Sequence, residues 1–277
     1  MRLTLHAQAK INWSLSICGE REDGYHDLDM LMQSIALSDE LSFENARWIT
    51  LSVDGQRLPC GDRNLVVRAA NALNEALGLH RGARITLKKH IPARAGLGGG
   101  SADCAATLLA LNRLWDLNLP LRTLMQIGLK LGADVPFCLQ GGLYRAEGVG
   151  ERLTPLRGMP LHVVVAKPAQ GVSTGALFRA LKLPRQMPDT AGAMRAIAAG
   201  DLPALAGCLF NALEEPAIAL VPEIGALKAR LLAEGALSAC MTGSGSAVFG
   251  LFETRAAAEA AASRMADLHF VCAAESV

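Results

Sequence analysis

The sequence has almost no excess of either charge: 27 Lys and Arg stand against 26 Asp and Glu, leaving a net charge of +1. The basic residues are scattered rather than massed, which excludes a broad electrostatic surface for nucleic acid or an anionic membrane. A small anionic ligand, which needs only a few local donors, is not excluded. Long apolar runs are also lacking, and none approaches the ~20 residues of a membrane span. The segment Met1 to Leu15 interrupts its apolar positions with Arg2, His6, Gln8, Lys10 and Asn12. It therefore lacks the continuous apolar core of a signal peptide. The seven cysteines (Cys18, Cys60, Cys104, Cys138, Cys208, Cys240, Cys272) are odd in number and far apart, with no two-residue spacing. That argues against a zinc site or a disulfide frame and for small buried hydrophobes in a reducing compartment. Aromatics are few, at 3 Trp, 2 Tyr and 7 Phe. No internal repeat and no low-complexity tract is visible. The expectation is a soluble, cytoplasmic protein with small-molecule partners, no nucleic acid and no membrane.

What is present is the balance of a globular protein with a sizeable core: 51% hydrophobic and 19% charged residues. A chain of 277 residues suffices for one large domain or two smaller ones sharing a cleft. Leu3 opens an extended segment that continues through Ile11 to Ile17, and Leu41 to Glu44 and Trp48 to Val53 read as further strands. Asn64 to Leu77 switches to helical spacing, with Asn64 as N-cap and Gly78 as stop. Ala83 to Lys89 alternates as a strand. Ser101 stands at an N-cap position before a helix over Ala102 to Leu114, and a second helix runs from Leu121 to Leu131. After a strand at Leu161 to Ala166, helical periods cover Thr174 to Leu181, Ala191 to Ala199, Leu202 to Ala212 and Glu223 to Ala233. The end reads strand (Leu237 to Met241), loop, strand (Ala247 to Phe252), helix (Arg255 to Ala266), strand (Leu268 to Ala273). Strands grouped with packed helices, without regular alternation, indicate α+β. The domain boundary is placed at the loop around Pro155, Gly158 and Pro160, giving domains 1–157 and 158–277.

The segment Pro92-Ala93-Arg94-Ala95-Gly96-Leu97-Gly98-Gly99-Gly100 fits neither helix nor strand. Phosphate binding needs backbone N–H groups converging on one point without Cβ atoms in the way, and glycine supplies both the dihedrals and the close approach. A following helix adds free N-terminal donors and the positive end of its dipole. A plain chain reversal needs one or two glycines, not four. No Gly-Lys-Ser/Thr follows, so this is not the ATPase type of phosphate loop, and Ser101 stands where the dinucleotide spacing requires glycine.

The run from Pro92 to Gly98 resembles the Pro-x-x-x-Gly-Leu-Gly motif of the galactokinase, homoserine kinase, mevalonate kinase and phosphomevalonate kinase (GHMP) superfamily. Within it, the nearest resemblance is to the family of 4-diphosphocytidyl-2-C-methyl-D-erythritol kinases. Ala9-Lys10-Ile11-Asn12, Asp23-Gly24-Tyr25-His26, Asn64 to Ala70, Gly132 to Phe137 and Thr242 to Ser246 resemble that family's other motifs, in the correct order. One departure is Ser101-Ala102, where the family usually has two consecutive serines. The resemblance implies a two-domain α+β fold. Its parts are an N-terminal α/β domain of the ribosomal-protein type and a ferredoxin-like C-terminal domain with extra helices, with the active site in the cleft between them. It also implies ATP-dependent phosphorylation of the 2-hydroxyl of a cytidine diphosphate-linked polyol, in the non-mevalonate isoprenoid precursor pathway.

By this resemblance, Asp134 is the base for the substrate hydroxyl, and Lys10 beside it lowers that hydroxyl's pKa and holds the carboxylate ionised. From the residues alone, Asp134 stands among small and apolar neighbours just past Gly132, a poor place for a purely solvating carboxylate. A helix N-cap or turn aspartate is the alternative. Nucleotide binding falls to Asn64, Leu65, Lys89 and the run Pro92, Ala93, Arg94, Ala95, Gly96, Leu97, Gly98, Gly99, Gly100, Ser101, Ala102 and Asp103. Substrate binding falls to Asn12, Tyr25, His26, Phe178, Thr242, Gly243 and Ser244, with Tyr25, His26 and Phe178 clamping the cytosine. ATP enters as its Mg2+ complex, with the metal's ligands on the protein left open. Oligomeric state stays open between a monomer and a weak homodimer. Two other readings are another GHMP small-molecule kinase, acting on homoserine, mevalonate or a sugar, and a non-catalytic nucleotide-binding module. Asp23 to His26 speaks against the first, because those substrates present no base to grip. The pair Lys10 and Asp134 speaks against the second.

Overall fold

The computed structural model describes residues 2–22, 24, 26–173, 175, 177 and 189–277. The chain divides into two compact units that interleave along the sequence: 1–9, 37–91 and 98–141 form one, and 10–36, 92–97 and 142–277 form the other. Two long strands, β1 (Arg2–Glu20) and β2 (His26–Ala46), contribute residues to both.

In the first unit, β3 (Thr50–Asp54) runs parallel to β4 (Gly82–Lys88), which runs antiparallel to the end of β2, with Leu41 opposite Leu87 and Phe43 opposite Ile85. Four helices accompany this sheet: α1 (Leu65–Leu77), α2 (Gly99–Leu114), α3 (Leu121–Leu129) and α4 (Val135–Gln140). Leu41, Phe43, Ile85 and Leu87 meet Val66, Ala69 and Leu73 of α1 and Leu108 and Leu111 of α2 in one buried core. The cap positions on α1 are as expected: Asn64 Oδ1 accepts from the Val66 N–H at 3.0 Å, and Gly78 closes the helix in the left-handed region at φ 62°.

In the second unit, the start of β2 pairs antiparallel with β5 (Leu143–Gly148), which forms a hairpin with β6 (Arg152–Pro155). A separate sheet has the order β11-β7-β10-β9, from β7 (His162–Lys167), β9 (Ser238–Met241), β10 (Val248–Phe252) and β11 (Phe270–Glu275), and its neighbours run antiparallel. Helix α8 (Glu223–Ala233) precedes β9, and α9 (Arg255–Arg264) joins β10 to β11. This strand–helix–strand–strand–helix–strand arrangement is the ferredoxin-like pattern. The remaining described elements are α5 (Thr190–Ala199), α6 (Leu202–Cys208), β8 (Phe210–Asn211), parallel to β1, and α7 (Glu214–Leu220). Trp13 is fully buried and meets Phe249 edge-on, with ring centroids 5.3 Å apart.

Several sequence expectations need correction. Ser101 is not an N-cap, because α2 starts two residues earlier, at Gly99, with Gly98 at the cap position and φ 69°. The helix expected to continue to Ala212 stops at Cys208 and gives way to the short strand β8. Strand β2 reaches back to His26, far beyond Leu41; residues 30–35 are buried on both faces, which erases the alternation that marks a half-exposed strand. The hairpin β5–β6 and helices α4 and α7 were not anticipated. All seven cysteines are unbridged, yet Cys18 and Cys60 are exposed rather than buried. The helix expected over Thr174 to Leu181 falls mostly outside the described residues, as do Asp23, Tyr25 and Phe178.

Candidate active site

The glycine segment begins in the second unit with a non-glycine residue in the left-handed region, Arg94 at φ 52°, followed by Gly96 at φ 75°. A Cβ on Gly96 would lie 2.1 Å from the Thr242 carbonyl oxygen and 2.8 Å from the Gly245 nitrogen, so only glycine fits there. The two glycine motifs, 146 positions apart at Gly96 and Thr242, are therefore packed backbone to backbone. The Ala247 N–H donates to the Ala95 carbonyl at 3.0 Å, which extends the same contact.

Lys10 and Asn12 complete this group. The Lys10 N–H donates to the Leu97 carbonyl at 2.9 Å, and Lys10 Nζ donates to Asn12 Oδ1 at 2.7 Å. The same Oδ1 accepts from the Gly243 N–H at 3.1 Å, while the Asn12 N–H donates to Thr242 Oγ1 at 3.1 Å. Asn12 is fully buried, so its side chain acts as a bracket that sets the Lys10 ammonium against the 242–243 backbone. A Cβ on Gly243 would come within 3.0 Å of Lys10 Nζ. Asn211 supports the loop from the other side, donating to the carbonyls of Met241 at 2.7 Å and Gly243 at 2.9 Å. It went unnoticed in the sequence because a lone asparagine after a helical stretch carries no motif. Ser244 is half-buried in this loop, and His26, also half-buried, opens β2.

In the first unit, Gly99, Gly100, Ser101, Ala102 and Asp103 form the opening turns of α2. The N-terminus of α1 lies against them: a Cβ on Gly100 would meet Leu65 Cδ1 at 3.5 Å. Asn64 is committed locally, donating through Nδ2 to the Pro59 carbonyl at 2.8 Å while Oδ1 caps α1. A Cβ on Gly132 would stand 3.6 Å from Ser101 Oγ, which places the turn before Asp134 beside the start of α2. Asp134 occupies the N-cap position of α4, half-buried, but its side chain makes no capping hydrogen bond. Of the two alternatives for Asp134, capping is not what its side chain does.

Lys89 is buried, and its Nζ donates to Asp39 Oδ2 and, at 2.7 Å, to Asp103 Oδ2. Asp39 had no place in the sequence reading, since nothing along the chain pairs it with residue 89. Burial pushes the Asp103 carboxyl up to about 7; Lys89 opposes that rise and Asp39 adds to it.

The chain is similar to known proteins over most of its length. The model of the GHMP kinases N terminal domain matches residues 64–142, and that of the GHMP kinases C terminal domain matches residues 193–270. The chain belongs to the GHMP kinases and is an ATP-dependent small-molecule kinase. Within them, its family is that of the 4-diphosphocytidyl-2-C-methyl-D-erythritol kinases. It is 48% identical over 256 residues to the kinase of that name from Pelotomaculum thermopropionicum, covering 91% of this chain and 89% of the relative. It is 46% identical to the one from Moorella thermoacetica, covering 96% of each. A crystal structure of 4-(cytidine 5'-diphospho)-2C-methyl-D-erythritol kinase superposes with a TM-score of 0.86 at 39% identity, covering 99% of both chains. Homoserine kinase from Cytophaga hutchinsonii shares the fold, at a TM-score of 0.77 and 20% identity over 100% of this chain and 94% of its own. Among the described residues, no helix is long and apolar enough to cross a membrane.

Proposed function

We propose that this kinase transfers the γ-phosphoryl group of ATP to the 2-hydroxyl of 4-diphosphocytidyl-2-C-methyl-D-erythritol, giving the 2-phosphate. The reaction would be a cytoplasmic step of the non-mevalonate isoprenoid precursor pathway. The observation that carries the reading is the Asn12 bracket: it holds an ammonium against the Gly243 turn, in a chain whose relatives bear that kinase's name. Phosphoryl transfer to an alcohol needs alignment, charge neutralisation and removal of the alcohol proton. Asp134, whose side chain is not spent on capping, accepts that proton. Lys10 favours the alkoxide as it forms, and Asn12 serves the substrate side by fixing Lys10.

Residues Pro92 to Asp103, with Asn64, Leu65 and Lys89, serve ATP. Thr242, Gly243 and Ser244 serve the substrate's phosphates. Among the described residues no cluster of three His, Cys, Asp or Glu side chains could hold a metal ion. Mg2+ would enter as part of the ATP complex and would neutralise charge on its phosphates there.

Tyr25, His26 and Phe178 grip the cytosine. Cytosine offers an amine donor beside acceptors where uracil offers a carbonyl and an N–H, so fixed protein groups satisfy only one of them fully. Each unpaired buried polar group costs about 1–3 kcal/mol and uracil mismatches two, so the uridyl analogue should show kcat/KM at least tenfold lower. Steady-state kinetics with both substrates checks this, and equal use of the two bases would remove the clamp.

A further inference from the structure

We propose that Asp39 is a positioning residue for ATP. With Lys89 and Asp103, it ties the chain entering the glycine segment to the helix leaving it. The inference rests on the reading of residues 92–103 as the ATP phosphate site and deepens it. Asp39 has no exposed surface, and its Oδ1 accepts from two consecutive backbone groups, the His90 N–H at 2.6 Å and the Ile91 N–H at 2.8 Å. These are the last residues before Pro92. Its Oδ2 accepts from Lys89 Nζ, and that ammonium continues to Asp103 Oδ2 in α2. Lys89 Nζ also lies 3.0 Å from where a Cβ on Gly99 would stand, directly under the first turn of α2. One carboxylate thus fixes the strand exit and, through one ammonium, the helix start.

A role in stability alone does not account for this arrangement. Burying three ionisable groups costs desolvation that apolar side chains of similar volume avoid, so the cluster is weak evidence for a role in stability. Two carboxylates share one ammonium, and Asp103 Oδ1 has no partner among the described residues. The Lys89 side chain is 3% exposed and already paired twice, so it acts on the nucleotide by holding the glycine segment in place and not as a direct phosphate ligand.

The test compares wild type, Asp39→Asn and Asp39→Ala by calorimetric ATP binding, steady-state kinetics and thermal melting. Leu87→Ala, a buried apolar truncation on the neighbouring strand β4, is the stability control. The Asp39 variants should bind ATP about tenfold more weakly and raise KM for ATP alike, equivalent to about 1.4 kcal/mol. KM for the cytidyl substrate should stay unchanged, with kcat at saturating ATP within about threefold. Leu87→Ala should lower Tm without moving KM for ATP. If Asp39→Ala does not fold, the volume-filling pair Asp39→Leu with Lys89→Met should fold and show the same weakened ATP binding. Unchanged ATP affinity in the folded variants, or an equal loss in Leu87→Ala, overturns the inference. A wild-type protein that binds ATP yet transfers nothing to the cytidyl alcohol overturns the substrate reading instead, since the Asp39 comparison is read on ATP binding. A wild-type protein that binds no ATP overturns both.

Discussion

Asn12 and Asp134, both proposed site residues, stand in different local settings. Asn12 has both its backbone N–H and its side-chain oxygen engaged inside the protein, whereas the Asp134 side chain stands at a helix start without capping it. Replacing Asp134 with Asn keeps shape and removes the proton acceptor. The expected outcome is a kcat lower by roughly 10²–10⁴-fold with ATP affinity little changed. Rapid-quench kinetics together with ATP titration measures both, and a kcat within about threefold of wild type would make Asp134 structural. Asp103 allows a sign to be worked out for stability. Its carboxyl, ordinarily near 3.8, is raised to about 7 by burial, so between those values the folded state holds a proton that the unfolded state has released. Stability attributable to this group is present at low pH and declines as pH rises through that window. The Tm of Asp103→Asn minus that of wild type should therefore increase from pH 4 to pH 7 and then level off. A difference flat across that range would contradict the shift.

At the scale of elements, the glycine segment departs instructively from its sequence reading. Gly96 and Gly98 have the positive φ values that only glycine adopts cheaply, but Gly99 is already helical. What Gly99 provides is space: a Cβ there would sit 2.9 Å from Ile91 Cγ2 and 3.0 Å from Lys89 Nζ. Gly99→Val should therefore push α2 from the strand exit and displace Lys89 from its carboxylates, abolishing measurable ATP binding while circular dichroism still reports a folded chain. Calorimetry showing wild-type ATP affinity would place the phosphates elsewhere. Elements with local signals were legible: Asn64 and Gly78 bracket α1, and Glu223 to Ala233 is the helix its period indicates. The hairpin β5–β6 was not, since Leu143–Gly148 carries Gly, Arg and Glu and its pairing with β2 is distant in sequence. The Lys89 partners share that cause, because Asp39 lies fifty positions away and no periodicity links them.

For the whole molecule, the glycine segments and the order of the motifs carried the family, and the ferredoxin-like strand order followed from it. What could not be read was the interleaving of the two units, where residues 10–36 and 92–97 fold with the C-terminal half. That depends on long-range strand pairing rather than on local sequence. The proposed function turns on which alcohol receives the phosphate. The measurement that tests it most directly offers the protein MgATP with the cytidyl-methylerythritol, homoserine and mevalonate in separate reactions, and follows ADP release and phosphorus NMR of the products. The account predicts stoichiometric ADP and a new phosphomonoester resonance with the cytidyl alcohol, its diphosphate intact, and neither signal above background with the other two. Turnover of homoserine or mevalonate at comparable kcat/KM, or ADP formed without a phosphorylated cytidyl product, would contradict it.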